Sequence, residues 1–334
     1  MNDIYVGIDV GGTKMLAALV NGNGTIMAKV QQPTRAERGT KDTIRRLMAM
    51  TESLIKESCS EAEGNTIQGI GIAVAGILDP SKGTVMLATN LGWENVPIGP
   101  LFKQYFQCPV QVINDANAAA LGEWLAGAGV GMKDVIYVTV STGIGGGIIS
   151  DGRLMLGSTN SAAELGHISI DRNGPLCACG NRGCIEVYAS GNTIAKRVRE
   201  DIRSGEASTA IVLEMAGGNP ELLNARHVAE AAQAGNEYAK DRLADAGSAL
   251  GMGLTAIIHL VNPEMIILGG GVSQSGRLLF EPMLDTVRGH GIPEMVNRVR
   301  FVTAKLGGDA GAVGAALWWR YERTITSAVQ EAVW

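Results

Sequence analysis

The sequence is poor in aromatic residues and in charge. It has five tryptophans, six tyrosines and four phenylalanines among 334 residues, and Asp, Glu, Lys and Arg make up only 18%. So little charge beside 46% hydrophobic residues excludes an intrinsically disordered chain. Ten prolines are too few for a proline-rich spacer, and five cysteines are a poor disulfide framework. Basic excess is also missing: the net charge of −5 leaves no electrostatic footprint for a nucleic-acid partner. The longest runs of apolar and glycine residues, such as Gly69–Leu78, reach about half of the ~20 residues a membrane helix needs. Residues 1–10 show no basic stretch ahead of an apolar one, so no secretory leader is expected. These absences point to a soluble, cytoplasmic protein with neither a nucleic-acid nor a membrane partner.

Glycine is what the chain has in excess, at 45 residues. It follows no three-residue period, which excludes collagen. Glycine serves tight turns and backbones that must approach another group closely. The length exceeds the ~250–300 residues at which one core stops growing, so two domains are expected.

Apolar runs at 4–10, 15–21 and 25–32, with N-G-N-G at 21–24, predict an antiparallel meander. A helix is predicted over 40–57 from Ile44, Leu47, Met48, Leu54 and Ile55. Strands follow at 67–74 and 110–113, with 76–100 read as loop and 114–127 as an Ala-rich helix. The second half opens with a strand at 135–140, a glycine loop at 141–147 and a strand at 148–150. That unit echoes residues 4–21 and suggests duplicated α/β halves. Residues 190–262 read as mostly helical. Then come a strand at 265–268, a helix near 276–288, a strand at 299–303 and a final helix from about 309 to 320.

Gly7–Lys14 (G-I-D-V-G-G-T-K) ends in G-T-K, and a strand follows it where a P-loop needs a helix. Gly143–Gly147 lacks the spacing of a dinucleotide fingerprint. Either turn alone is an ordinary hairpin. Two of them, each with a hydroxyl residue (Thr13, Thr142), make a split anion-binding nest the better reading.

His167, Cys177, Cys179 and Cys184 lie within eighteen residues. One imidazole and three thiolates can close a tetrahedral zinc site with no open position. The spacing fits reduced buried cysteines beside an unrelated histidine equally well.

These segments resemble a known family. G-I-D-V-G-G-T-K, S-T-G-I-G-G-G at 141–147 and L-G-G-G-V at 268–272 look like the sugar-kinase branch of the actin-like ATPases. E-L-G-H at 164–167 and C-A-C-G-N-R-G-C-I-E at 177–186 resemble the ROK family (repressors, open reading frames, kinases). The match runs from residue 4 to about 316. It implies an α/β, actin-like (ribonuclease H-like) ATPase fold of two domains with a cleft. The smaller domain is placed at 1–113 plus about 315–334, and the larger, carrying the zinc site, at 114–314.

The resemblance also implies an ATP-dependent hexose kinase acting on a sugar 6-hydroxyl. Asp115 is then the general base, although Asn114-Asp115 also fits a plain helix cap. Sugar contacts fall on Gly76, Asn90, Asn114, Glu164, His167 and Glu186. Asp9 lies near Mg²⁺, with Gly11, Gly12, Thr13, Lys14, Thr142 and Gly143 around the phosphates and Gly269, Gly270 and Gly271 facing the adenosine. Lys14 fits a solvent-exposed lysine equally well. His167, Cys177, Cys179 and Cys184 become ligands of a structural zinc. Trp93 is expected to anchor its loop, His259 to be a satisfied core residue, and Lys196–Arg203 to be a solvated helix face.

L-G-W-E-N-V-P and A-E-L-G-H look like the segments of the glucose-phosphorylating members of that family, so the resemblance favours glucose. N-acetylglucosamine, N-acetylmannosamine, fructose and allose stay open, as does a homodimer or homotetramer. A sugar-responsive regulator is less favoured, because the first strand opens at Ile4 and leaves no room for a DNA-binding segment. A chaperone-like ATPase is opposed by the Cys-rich motif.

Overall fold

The computed structural model describes residues 3–58 and 66–331, so Cys59 lies outside the described residues. The first strands are β1 (Asp3–Val10), β2 (Lys14–Asn21) and β3 (Ile26–Pro33), followed by helix α1 (Thr40–Ser58). Next come β4 (Thr66–Val74), β5 (Ile77–Asp79), β6 (Thr84–Ala88), β7 (Trp93–Val96), α2 (Ile98–Phe106), β8 (Val110–Asn114) and α3 (Asp115–Ala126). The second half runs β9 (Val135–Val140), β10 (Ile144–Ser150), β11 (Arg153–Leu154), α4 (Glu186–Ala189), α5 (Gly191–Arg203), α6 (Ala210–Met215), α7 (Ala225–Gln233) and α8 (Glu237–Val261). It ends with β12 (Met265–Gly269), α9 (Arg277–His290), α10 (Pro293–Val296), β13 (Arg300–Thr303) and α11 (Ala310–Glu331).

Two five-stranded sheets carry the fold, in the orders β3-β2-β1-β4-β8 and β11-β10-β9-β12-β13. Replacing each strand of the first by its counterpart in the second leaves the order unchanged. The echo seen in the sequence is therefore a repeated topology. In the first sheet β2 is antiparallel to β1 and β3, while β4 and β8 run parallel to β1. In the second, β12 runs parallel to both β9 and β13.

The chain divides into two compact units. The first comprises residues 1–133, 147–163 and 304–334, and the second 134–146 and 164–303. The boundary expected at 113/114 falls inside the first unit, because α3 packs on α11 there. A Cβ on Gly122 or on Gly314 would strike the backbone of the other helix. Glu123, fully buried, adds to this seam. Its carboxylate accepts from the N–H groups of Ala128, Lys305 and Leu306 at 2.8, 3.0 and 2.6 Å.

In the first unit the alternation along β1 serves two cores. Ile4, Val6, Ile8 and Val10 pack with Leu47, Met50 and Leu54 of α1 on one face. Tyr5 joins Leu16, Ala18 and Val20 against Ala312, Val313, Ala316 and Leu317 of α11 on the other. A strand buried on both faces reads as a continuous apolar run, which is what 4–10 shows. Gly7, placed with the nucleotide loops by sequence, instead lets α11 settle on the sheet: a Cβ there would collide with the Ala312 carbonyl.

Residues 76–100 are not merely loop. They contain a three-stranded sheet, β5-β6-β7, whose strands are too short for periodicity to register. Trp93 anchors it, 1% exposed. The glycine loop expected at 141–147 is shorter, because β10 already begins at Ile144. Gly145–Gly147 are strand residues, and Gly146 lies beneath Leu165 and the Tyr137 carbonyl. The longest described helix, α8, is by length and composition apolar enough to cross a bilayer, which no continuous run revealed. Leu243, Leu250, Leu254 and Ile258 on it are nonetheless buried against the rest of the second unit. His259 is exposed, not a core residue, though its Nε2 accepts from the Ile292 N–H at 3.0 Å.

Candidate functional site

In the first unit, Asp9 near the end of β1 lies within electrostatic reach of Lys14, which opens β2, and of Asp115, which opens α3. Burial, and after it the negative charge of Asp115, pushes the Asp9 carboxyl from 3.8 up to about 7, while Lys14 pulls it back. Lys14 itself is exposed. The first turns of α11 crowd the same carboxylate, with room at Gly311 only because it lacks a Cβ. A rise of that size corresponds to about 4 kcal/mol between the two protonation states. The folded pKa lies above the unfolded one, so the folded state holds the proton better. Stability contributed by this group is lost as pH climbs from about 4 to about 7. Asp9→Asn is therefore expected to raise Tm at pH 8 and to leave it nearly unchanged at pH 4. Equal shifts at both pH values, read by calorimetry, would contradict this.

Asn114 is the N-cap of α3. Its side-chain oxygen accepts from Ala116 and Asn117 N–H at 3.0 and 3.1 Å. The cap fixes the first turn of α3 and with it the half-buried Asp115. Asn90 is exposed, in a short 3-10 turn beside Gly12, where an added Cβ would stand 3.0 Å from the Asn90 Cβ. Gly76 has φ +140° and touches Leu87 and Ala88 closely enough to exclude a side chain.

In the second unit, Glu186 opens α4 and its carboxylate accepts from Ile144 N–H at 2.9 Å. It thereby fixes the turn at Thr142–Gly143, where a Cβ on Gly143 would lie 2.6 Å from the same oxygen. Glu164 is exposed and follows Ala163, whose φ of +67° is a costly conformation for alanine.

A cavity of about 600 Å³ opens in this unit, within the range of small-molecule sites. Ser141, Thr142, Asn192, Asn224, Gly271 and Gln274 supply much of its polar lining. Of the three consecutive glycines only Gly271 lines it; Gly269 lies against the Tyr137 ring and Gly270, at φ +87°, over the Val140 carbonyl. Sequence reasoning missed Asn192, Asn224 and Gln274. The signals that could have found the first two are the helix starts S-G-N at 190–192 and N-A-R at 224–226, capped by Ser190 and Asn224.

The ligand atoms of His167, Cys177, Cys179 and Cys184 all lie within 4.8 Å of one another. His167 Nδ1 is 3.5 Å from Cys177 Sγ, and Cys179 Sγ is 3.7 Å from Cys184 Sγ. Tetrahedral bonds of ~2.3 Å to sulfur and ~2.0 Å to nitrogen give edges of about 3.8 and 3.5 Å, so the donor set fits a four-coordinate ion. Burial first, and then the neighbouring thiols, pushes Cys184 up to about 12. The segment is a tight knuckle. Ile170 N–H donates to the Gly183 carbonyl at 2.9 Å and Cys177 N–H to Asn181 at 2.8 Å, while Gly180 and Gly183 have φ +90° and +68°.

Known proteins share this architecture. The glucokinase of Thermotoga maritima is 37% identical over 315 residues, covering 93% of this chain and 95% of that protein. The crystal structure of a ROK family glucokinase from Streptomyces griseus, in complex with glucose and AMPPNP, superposes with a TM-score of 0.80 at 34% identity, over 94% of this chain and 98% of that one. The xylose repressor of Caldicellulosiruptor bescii is 30% identical over 92% of this chain but 76% of its own length. The duplicated α/β units are those of the actin-like ATPases, as the motifs implied. With the ROK family profile matching residues 5–322, the chain belongs to the ROK family.

Proposed function

We propose that the protein is a cytoplasmic, ATP-dependent hexose kinase that phosphorylates the 6-hydroxyl of glucose, with Asp115 as general base. The observation that carries this reading is the carboxylate of Asp115 at the capped start of α3, within electrostatic reach of Asp9. The glucokinase relatives supply the substrate class.

On this reading Asp115 accepts the 6-hydroxyl proton as the new O–P bond forms and the bond to the leaving β-phosphate breaks. Phosphoryl transfer asks chiefly for positioning and charge stabilisation, which a carboxylate base and backbone amides can provide. Gly11, Gly12 and Thr13, with Thr142 and Gly143, hold the phosphates, and Lys14 offers a counter-charge. Asp9 would face the Mg²⁺ that accompanies the nucleotide, an ion that would neutralise phosphate charge. The cavity beside Gly271 takes the base and ribose. Gly76, Asn90, Asn114, Glu164, His167 and Glu186 orient the sugar. With its side-chain oxygen engaged by the helix cap, Asn114 would meet a hydroxyl through its amide group. Closed by four protein ligands, a zinc at the knuckle would be structural. His167, whose Nδ1 faces Cys177 Sγ, would hold it through that nitrogen and keep Nε2–H to donate to the sugar, so one ring could serve both assignments.

An ADP-release assay across glucose, N-acetylglucosamine, N-acetylmannosamine, fructose and allose tests this reading. Turnover fastest on glucose is expected, and none on any of them would remove it. A sugar-binding regulator is the second reading, favoured by the xylose repressor relative; sugar binding without ADP release would select it.

A further inference from the structure

Thr34 lies outside every motif described above, yet it is completely buried next to the first glycine turn. Its hydroxyl donates to the Gly11 carbonyl at 2.6 Å, and its N–H donates to the Thr13 carbonyl at 2.9 Å. Both bonds therefore grip the turn from one side. Every described peptide is trans, so the N–H that follows a carbonyl points the opposite way within the peptide plane. Pinning the Gly11 carbonyl on Thr34 thus turns the Gly12 N–H to the other side, away from the strut. An amide donor held in this way need not reorganise when it meets an anion.

Thr34 is itself held from behind. Arg46, on α1, donates from Nη2 to the Thr34 carbonyl and from Nη1 to the Pro33 carbonyl at 2.8 Å. Asp42, one turn earlier, fixes the guanidinium by accepting from its Nε at 2.8 Å. Arg45, Arg46 and Arg38 together hold the Asp42 carboxyl below the usual carboxylate range, with the hydrogen bond from Arg45 the largest influence. Arg46 and Asp42 expose 17% and 16% of their side chains, so the brace is half-buried.

We propose that Thr34 is a positioning residue for the phosphoryl donor, orienting the amides of the Gly11–Thr13 turn, with Arg46 and Asp42 as its backstop. The proposal rests on the assignment of that turn to the nucleotide phosphates. A bystander role in the core would weaken folding without distinguishing one substrate from the other. A positioning role separates them, because Thr34 braces the donor turn alone.

The test is steady-state kinetics of Thr34→Val and Thr34→Ser, with glucose affinity measured by calorimetry. Thr34→Val keeps the shape and removes the donor. It is expected to raise the KM for ATP about tenfold, the size of one lost hydrogen bond, with glucose affinity unchanged. Thr34→Ser restores the hydroxyl and is expected to return ATP KM to within about twofold of wild type. An unchanged ATP KM in Thr34→Val, or equal losses in the Val and Ser variants, would overturn the proposal. Should Thr34→Val not fold, Arg46→Met answers instead, with a smaller rise in ATP KM expected and none opposing the idea. Wild-type enzyme that phosphorylates no hexose would remove the kinase reading itself; a wild-type ATP KM in an active Thr34→Val removes only the strut.

Discussion

Replacing Asp115 by alanine is expected to abolish glucose phosphorylation, by a factor on the order of 10²–10⁴, which is what a positioned general base contributes. Sugar affinity should stay within about tenfold of wild type. The change removes one proton acceptor and leaves the α3 cap intact, since Asn114 and not Asp115 satisfies the Ala116 and Asn117 N–H groups. Coupled ADP release gives the rate and calorimetry the sugar affinity. Loss of both together would mean that Asp115 mainly holds the sugar. Retention of both would assign the proton to another group. Removing the Asp115 charge should also lower the Asp9 carboxyl, because that charge is one of the two influences raising it.

The second large effect is expected at the knuckle. Cys184→Ser should strip the zinc and collapse the segment around residues 168–185, seen as loss of one equivalent of zinc and a strongly lowered Tm. Structural zinc contributes about 10–16 kcal/mol to small metallo-domains, far more than this stretch can recover from packing. Cys177 and Cys184 are buried, but Leu176 beside them is 65% exposed, so there is little apolar core to take over. Cys108, a half-buried thiol outside the cluster, provides the control: Cys108→Ser should keep both zinc and activity. A Cys184→Ser protein with wild-type zinc content and melting temperature would show that the four side chains gather for another reason. Chelation of the wild-type protein should reproduce the Cys184→Ser defect and be reversed by added zinc.

The legibility of the chain differs from element to element. Strand β1 and helix α1 are readable because burial on both faces imposes a continuous apolar run, and burial on one stripe a helical period, over eight residues or more. The sheet β5-β6-β7 was not, because β5 and β7 have three and four residues and each shows exposed positions that blur alternation. His259 sits in an apolar helix, and periodicity alone placed it inside; the structure turns it outward beside Ile292. The Cys and His spacing of the knuckle left a metal site and unrelated thiols equally open; the structure gathers the four ligand atoms within 4.8 Å of one another. The cavity was half legible. Thr142 and Gly271 belong to glycine turns, whereas Asn192 and Asn224 come from helix starts far apart in the chain.

Alone, the sequence determined the class of the fold and the repeated strand–turn–strand opening of its two halves. These follow from local chemistry: apolar period and glycine at a turn. The tertiary structure decided which glycines serve the turns and which serve packing. Gly7 and Gly71 are spent on letting α11 lie against the sheet, because a Cβ at either would strike its backbone. It also decided that Thr34, Arg46 and Glu123 matter. Thr34 and Glu123 make their hydrogen bonds to backbone groups, as does Arg46 in two of its three, and a backbone partner leaves no trace in residue identity.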